Sequence, residues 1–342
     1  MKADGAKGKN STMRVLITGG AGFIGSHLIE THLQRGDEVR AVDNLHTGTA
    51  ENIEPFLSNP GFEFIKADIT DWPGLAPAAQ WADRIYHMAA IVGVHRVVED
   101  SMKVLTSNFE GTKRVLEAAC SGNPAPRVIL ASSSEVYGFN EKASFAESDD
   151  LVFGAKHQFR WTYAISKLAE EQLGLAYYLN RALPVTAVRF FNTTGPRQLG
   201  VHGMVVPRFV AAAAAGEPIT IYGDGAQTRS FCDVRDTVRM LNQVAESADA
   251  VGEVVNVGND REISMRGLAE LAIERAGSGS PIEYISYEQA YGRHFDDITH
   301  RRPDLTKLFG LIGYRPQWSL EDTLDDLIDG QRSVARSLSV GA

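Results

Sequence analysis

The sequence predicts an α/β protein: a doubly wound parallel sheet joined to a smaller, less regular α/β domain. Three observations carry this expectation. Between Arg14 and about Ala187, short β-branched runs alternate with amphipathic stretches, the pattern of buried parallel strands with helices on both faces. The first run ends in a burst of glycines, TGGAGFIG at 18–25, and a helical pattern follows at once. After Arg189 the texture changes to loops rich in Gly and Pro with short helices between them.

The runs RVLIT (14–18), EVRAVD (38–43), FEFIKAD (62–68), RIYHMAA (84–90), RVILASS (127–133) and VTAVRF (185–190) read as strands because they are short, apolar and bounded by turn residues. ETHLQ (30–34), 104–120 and 162–183 have helical spacing. In the later part, PRFVAAAAAG (207–216) reads as a helix, and EVVNVG (253–258) as a strand returning to the main sheet. The domains are therefore expected to be discontinuous: 13–188 with about 231–258 in one, 189–230 with about 259–336 in the other. Residues 1–12, small and polar, are expected to be a disordered arm.

With 342 residues and 44% apolar content the chain can bury a large core. A formal charge of −9 without a basic block disfavours nucleic acid as a partner. No apolar run approaches the ~18 residues of a membrane span, so no membrane partner is expected. Cys120 and Cys232 stand far apart, without CxxC or Cys/His spacing, which argues against a disulfide framework or a metal site and suits a reducing cytoplasm.

Gly20, Gly22 and Gly25 spell GxGxxG, and Gly19 leads an overlapping frame. Bare backbone there lets a pyrophosphate approach the N–H groups and dipole of the following helix. A glycine turn alone is weak evidence, but this one sits between a strand and a helix, and EVRAVD ends in Asp43, about 20 residues on, where a ribose-binding acid belongs. A carboxylate there accepts from ribose hydroxyls and repels a 2′-phosphate, so NAD is favoured over NADP.

Tyr163 and Lys167 lie four apart in TYAISK, on one face of a helix. An ammonium beside a phenol favours the phenolate, which can take a proton from a hydroxyl. Alone, the pair fits any amphipathic helix. The loop ASSSEVYG adds Ser133, Ser134 and Glu135 at the carboxyl end of a predicted strand, where ligands of open α/β sheets bind.

In their order, TGGAGFIGSHL, Asp68-Ile69, HMAA, SSSEVYG, YxxxK, RFFNTTGPRQ, YGDGAQTRSF and RRPD resemble the extended short-chain dehydrogenase/reductases that act on nucleotide sugars, the NAD-dependent epimerase/dehydratase group. The resemblance covers nearly the whole chain. It implies a Rossmann domain holding NAD through Gly19, Gly22, Phe23, Ile24, Gly25, Asp43, Asn44, Asp68, Ile69, Ala89 and Lys167. It implies Tyr163 as base with Ser133 as its hydroxyl partner, and a nucleotide sugar, expected to be UDP-linked, contacted by Asn192, Arg197, Arg229 and Arg302. It also implies a homodimer formed through the helices at about 100–120 and 162–182.

Members of this group begin by oxidising a hexose at C4. Dehydratases carry an Asp-Glu pair where this chain has Ser134-Glu135, a departure that speaks against 4,6-dehydration. The Ser-Glu pair and the context of DDITHRRPD resemble UDP-glucuronate decarboxylases, in which an arginine matching Arg301 acts in the decarboxylation. UDP-xylose-forming members show YDEGK where this chain has YAISK, so a UDP-hexose or UDP-hexuronate 4-epimerase stays the alternative. A non-catalytic sensor of NAD or nucleotide sugar is the reading from another class, opposed by the intact Ser133, Tyr163 and Lys167.

Overall fold

The computed structural model describes residues 12–154, 160–200, 204–291 and 298–340; the expected arm lies outside them except for Thr12, as do parts of the segments before Tyr163 and before Arg301. In chain order the first half comprises β1 (Arg14–Thr18), α1 (Phe23–Arg35), β2 (Glu38–Asp43), β3 (Phe62–Lys66), α2 (Leu75–Trp81), β4 (Arg84–His87), α3 (Val94–Glu99), α4 (Ser101–Cys120), β5 (Arg127–Ser133), α5 (Arg160–Arg181) and β6 (Val185–Phe190). There follow β7 (Thr193–Thr194), α6 (Val205–Ala215), β8 (Ile219–Tyr222), β9 (Thr228–Ser230), β10 (Cys232–Asp233), α7 (Val234–Glu246) and β11 (Val254–Val257). The chain ends with β12 (Glu262–Ser264), α8 (Met265–Ala276), β13 (Ile282–Ile285), α9 (Tyr287–Tyr291), α10 (Thr306–Ile312) and α11 (Leu320–Val340).

Seven strands form one parallel sheet in the order β3-β2-β1-β4-β5-β6-β11. The chain leaves β1 toward β2 and β3, then crosses back to β4, which opens a crevice at the carboxyl ends of β1 and β4. One face of the sheet packs on α1, α7 and α10 through Ile17, Leu28, Val238 and Leu308. The other packs on α2, α4 and α5 through Leu16, Leu75, Leu116 and Val185. The doubly wound Rossmann sheet is as expected, and β11 returns to its edge.

A smaller core gathers Val206, Phe209, Leu268 and Leu324 from α6, α8 and α11 against β8 and β13. Segment 305–314 departs from the expected division, because Leu305, Leu308 and Tyr314 pack into the main core. Helix α1 begins seven residues before ETHLQ; its first turn holds Gly25 and Ser26, which dilute the apolar periodicity. It stops where Gly36, at φ 83°, turns its N–H back onto the His32 and Leu33 carbonyls. Among the described residues no helix is long and apolar enough to cross a membrane.

Candidate active site

The glycines of the first turn serve two ends. A Cβ at Gly19 would meet the Ala89 nitrogen at 2.7 Å, one at Gly20 would meet the Ala41 Cβ at 2.6 Å, and one at Gly25 would overlap the Gly19 carbonyl. Those three are demanded by the close approach of strand, turn and helix. Gly22 is different: a Cβ there would meet only the Gly19 oxygen, at 3.1 Å. It is the N-cap of α1, and no side chain caps that helix, so the N–H groups of the first turn, at Phe23, Ile24 and Gly25, are left for an anion.

Asp43 ends β2 beside this turn, its Oδ2 accepting from the Ala21 N–H at 3.0 Å and its Oδ1 from the Leu45 N–H at 2.8 Å. Burial pushes its pKa up, and these two N–H donors restrain the rise. A carboxylate has about four acceptor positions, so capacity remains for ribose hydroxyls. Asn44 donates to the Asp68 Oδ2 at 2.8 Å. Burial works against the Asp68 charge, but hydrogen bonds from Thr70 and Asn44 hold its pKa below the usual range. Ile69 is buried in the second core, and Ala89 lies just past β4 against Gly19. An open helix terminus flanked by these acceptors fits a dinucleotide. Asp43→Asn is expected to weaken NAD and to narrow its advantage over NADP, each on the order of tenfold, by fluorescence titration with both cofactors. Equal affinities in the wild type would refute the role.

The reactive groups meet at the carboxyl end of β5. Tyr163 and Lys167 project from the first turns of α5, and the Ser133 hydroxyl lies close enough to the Tyr163 phenol to favour its ionisation. Burial pushes the phenol's pKa up; the Lys167 ammonium and Ser133 oppose that, while the Glu170 and Glu135 carboxylates add to it. Ser133 Oγ accepts from the Glu135 N–H at 3.2 Å, and Ser134 is buried at the start of the following 3-10 turn. Glu135 pairs with Arg301, whose Nη2 donates to Asn192 Oδ1 at 2.6 Å. Ser133, Glu135, Arg301 and Asn192 therefore form one hydrogen-bonded set, and Tyr163 lies within the electrostatic reach of Ser133, Lys167 and Glu135.

The other expected sugar-nucleotide contacts do not converge there. Arg197 pairs with Glu30 of α1 at 2.5 Å and lies over the Phe56 ring, which ties the GPRQ loop to the NAD-binding domain. Arg229 donates to the Thr228 and Ile298 carbonyls at 2.7 and 2.8 Å. Arg302 comes within 3.9 Å of Glu262. Each of the three has protein partners in this arrangement.

Sequence reasoning passed over a second set of residues behind Lys167. The Lys167 Nζ donates to Glu170 Oε2 at 2.9 Å, and the same oxygen accepts from the Thr112 hydroxyl at 2.8 Å. His87, at the end of β4, bridges Thr112 (2.9 Å) and Thr18 (2.7 Å). Burial, with the Lys167 charge adding to it, pushes the His87 pKa down to about 3. The one available signal was the i, i+3 spacing of Lys167 and Glu170.

Comparison with known proteins agrees with this geometry. The family model for GDP-mannose 4,6 dehydratase matches residues 16–327. A UDP-N-acetyl-α-D-glucosaminuronate decarboxylase of Bacillus cytotoxicus is 40% identical over 323 residues, 94% of this chain and 98% of that protein. UDP-glucuronic acid decarboxylase 2 of Arabidopsis thaliana is 36% identical across 92% of this chain and 67% of its own. Among solved structures, the UDP-glucuronic acid 4-epimerase of Bacillus cereus, in complex with UDP-glucuronic acid and NAD, superposes with a TM-score of 0.85 at 28% identity over 94% of this chain and 100% of that one. With its doubly wound sheet, glycine turn and Ser133-Tyr163-Lys167 set, the chain belongs to the GDP-mannose 4,6 dehydratase family of extended short-chain dehydrogenase/reductases.

Proposed function

We propose that this chain is an NAD-dependent nucleotide-sugar decarboxylase whose substrate is a UDP-hexuronate. The observation that carries the reading is Arg301, a guanidinium paired with the carboxylate of Glu135, whose backbone N–H donates to the Ser133 hydroxyl beside the Tyr163 phenol. Lys167 and Ser133 stabilise the Tyr163 phenolate, which takes the proton of the sugar's C4 hydroxyl. NAD supplies the hydride acceptor that makes C4 a ketone. A C6 carboxylate is then β to that ketone, and a sugar with O4 at Tyr163 carries C6 only two carbons away, within reach of a guanidinium in the same pocket. The C5–C6 bond breaks, CO₂ leaves, its electron pair passes into the C4–C5 enolate, and a proton is delivered to C5. Arg301 orients the carboxylate and stabilises the developing negative charge, while Glu135 and Asn192 hold Arg301.

The names of the relatives support decarboxylation, and the acetamido group in one of those names puts UDP-glucuronate and its 2-acetamido counterpart first among substrates. The Bacillus cereus neighbour favours a second reading, 4-epimerisation, in which the ketone turns over and hydride returns to its opposite face. Mass spectrometry of products from UDP-, dTDP- and GDP-sugars separates the readings: a product lighter by one CO₂ supports the first, and one of unchanged mass supports the second.

A homodimer belongs to the same reading. Met102, Leu105 and Phe109 form an exposed apolar stripe on α4, and Ile165 adds to it from neighbouring α5; their spacing places the α4 residues on one helix face. A second copy of the chain covers that face. Met102→Glu with Phe109→Glu is expected to give a monomer by light scattering, and a wild type that is already monomeric contradicts the proposal. The two unpaired cysteines suit a reducing cytoplasm.

A further inference from the structure

The network behind Lys167 has a direction that its donors and acceptors impose. Lys167 and Thr112 both donate to Glu170 Oε2. Because the Thr112 proton is committed there, Thr112 Oγ1 must accept from His87 Nε2–H. The other ring nitrogen, Nδ1, is then the acceptor for the Thr18 hydroxyl. With Glu170 ionised, every proton in the chain from Thr18 through His87 and Thr112 thus points toward it; burial pushes its pKa up, and Lys167 and Thr112 oppose that rise. Glu170 Oε1 is buried with no hydrogen-bond partner, so a proton placed there would find no acceptor. Glu170 is 3% exposed and Lys167 2%, which leaves the two charges to neutralise one another out of water.

We propose that Glu170 is a positioning residue for the first chemical step: it anchors the Lys167 ammonium through one oxygen and tempers the positive charge that Tyr163 experiences. The proposal rests on Tyr163 being the base. An ammonium has three donors; one is committed to Glu170, which aims the side chain and leaves the others for the site. The anchoring carboxylate also opposes ionisation of Tyr163, so the protein balances a fixed, permanently charged Lys167 against a weaker pull on the phenol.

The other groups facing this centre are accounted for. Glu171, next on α5, is paired by two hydrogen bonds from Arg189 of β6 at 2.9 and 2.8 Å. Glu135, from the turn after β5, is paired with Arg301. His87 of β4 is neutral, as its low pKa requires, and Ser133 and Thr112 carry no charge. Glu170 is therefore the carboxylate next to Lys167 without a second cation to neutralise it.

The test is NMR titration of the NAD-loaded protein labelled at the tyrosine ζ-carbon, with the Tyr163 resonance identified by its loss in Tyr163→Phe. In Glu170→Gln the Tyr163 midpoint is expected to fall by on the order of one pH unit. The amide places a donor where Oε1 has no partner, so Glu170→Ala, which adds no buried donor of its own although it takes the acceptor from Lys167 and Thr112, serves as the second variant and is expected to shift the same way. The pH profile of kcat/KM for UDP-glucuronate should move acidward with the resonance, whereas a purely structural role lowers its height without moving its limbs. A midpoint unchanged or raised in both variants, or a phenol that stays neutral in wild type and variants to the alkaline limit of folding, overturns the proposal. Retention of turnover by Tyr163→Phe would instead remove Tyr163 as base, a separate failure.

Discussion

Tyr163→Phe is expected to bind NAD as the wild type does and to lose turnover by ~10²–10⁴, the usual worth of a general base. The substitution removes one oxygen. The ring remains on α5, and Lys167 keeps its bond to Glu170. Ser133 still accepts from the Glu135 N–H, so its position is retained. The check is the rate of product formation from a UDP-hexuronate alongside NAD affinity by fluorescence. Turnover within about tenfold of the wild type would mean that the proton is taken by another group.

Arg301→Gln is expected to separate the two halves of the reaction. On the proposed mechanism C4 oxidation depends on Tyr163, Lys167 and NAD, which the change leaves in place, while loss of CO₂ depends on the guanidinium. Removing one preorganised donor of this kind slows a step by about 10²–10³, so reduced nicotinamide should build up spectroscopically while CO₂ release falls by that factor. Glutamine is too short to reach where Nη2 meets Asn192, so it removes that donor as well as the counter-ion of Glu135, and a general loss of folding would show in thermal melting. Unimpaired CO₂ release in a folded variant would contradict the assignment.

Much of the fold was readable in the sequence because parallel strands buried on both faces announce themselves as short β-branched runs, whereas the end of α1 at Gly36 is seen only in its left-handed φ. The glycine turn was readable too, though for a mixed reason: Gly19, Gly20 and Gly25 answer to packing, and Gly22 is the one whose missing side chain leaves room in front of α1. Local spacing could place Tyr163 over Lys167, since both lie on one helix. It could not show that Thr112, His87 and Thr18 converge behind Lys167, because they come from three other elements brought together only by the order of the sheet. Arg197 illustrates the same gap. Its motif suggested the sugar nucleotide, but at φ 69° it is carried onto Glu30 of α1, a partner 167 positions away. Segment 305–314 lacks any mark of which core it joins; Leu305 and Leu308 are apolar in either case.

The most direct measurement is simultaneous CO₂ detection and product mass spectrometry on the wild-type protein supplied with NAD and, in separate reactions, UDP-glucuronate and its 2-acetamido counterpart. The account predicts CO₂ from at least one of them, with either a UDP-pentose lighter than the substrate by CO₂, where hydride returns from NADH, or its 4-ketone lighter by a further two hydrogens, where NADH is released. A product of unchanged mass without CO₂, or no reaction with either sugar, would contradict it.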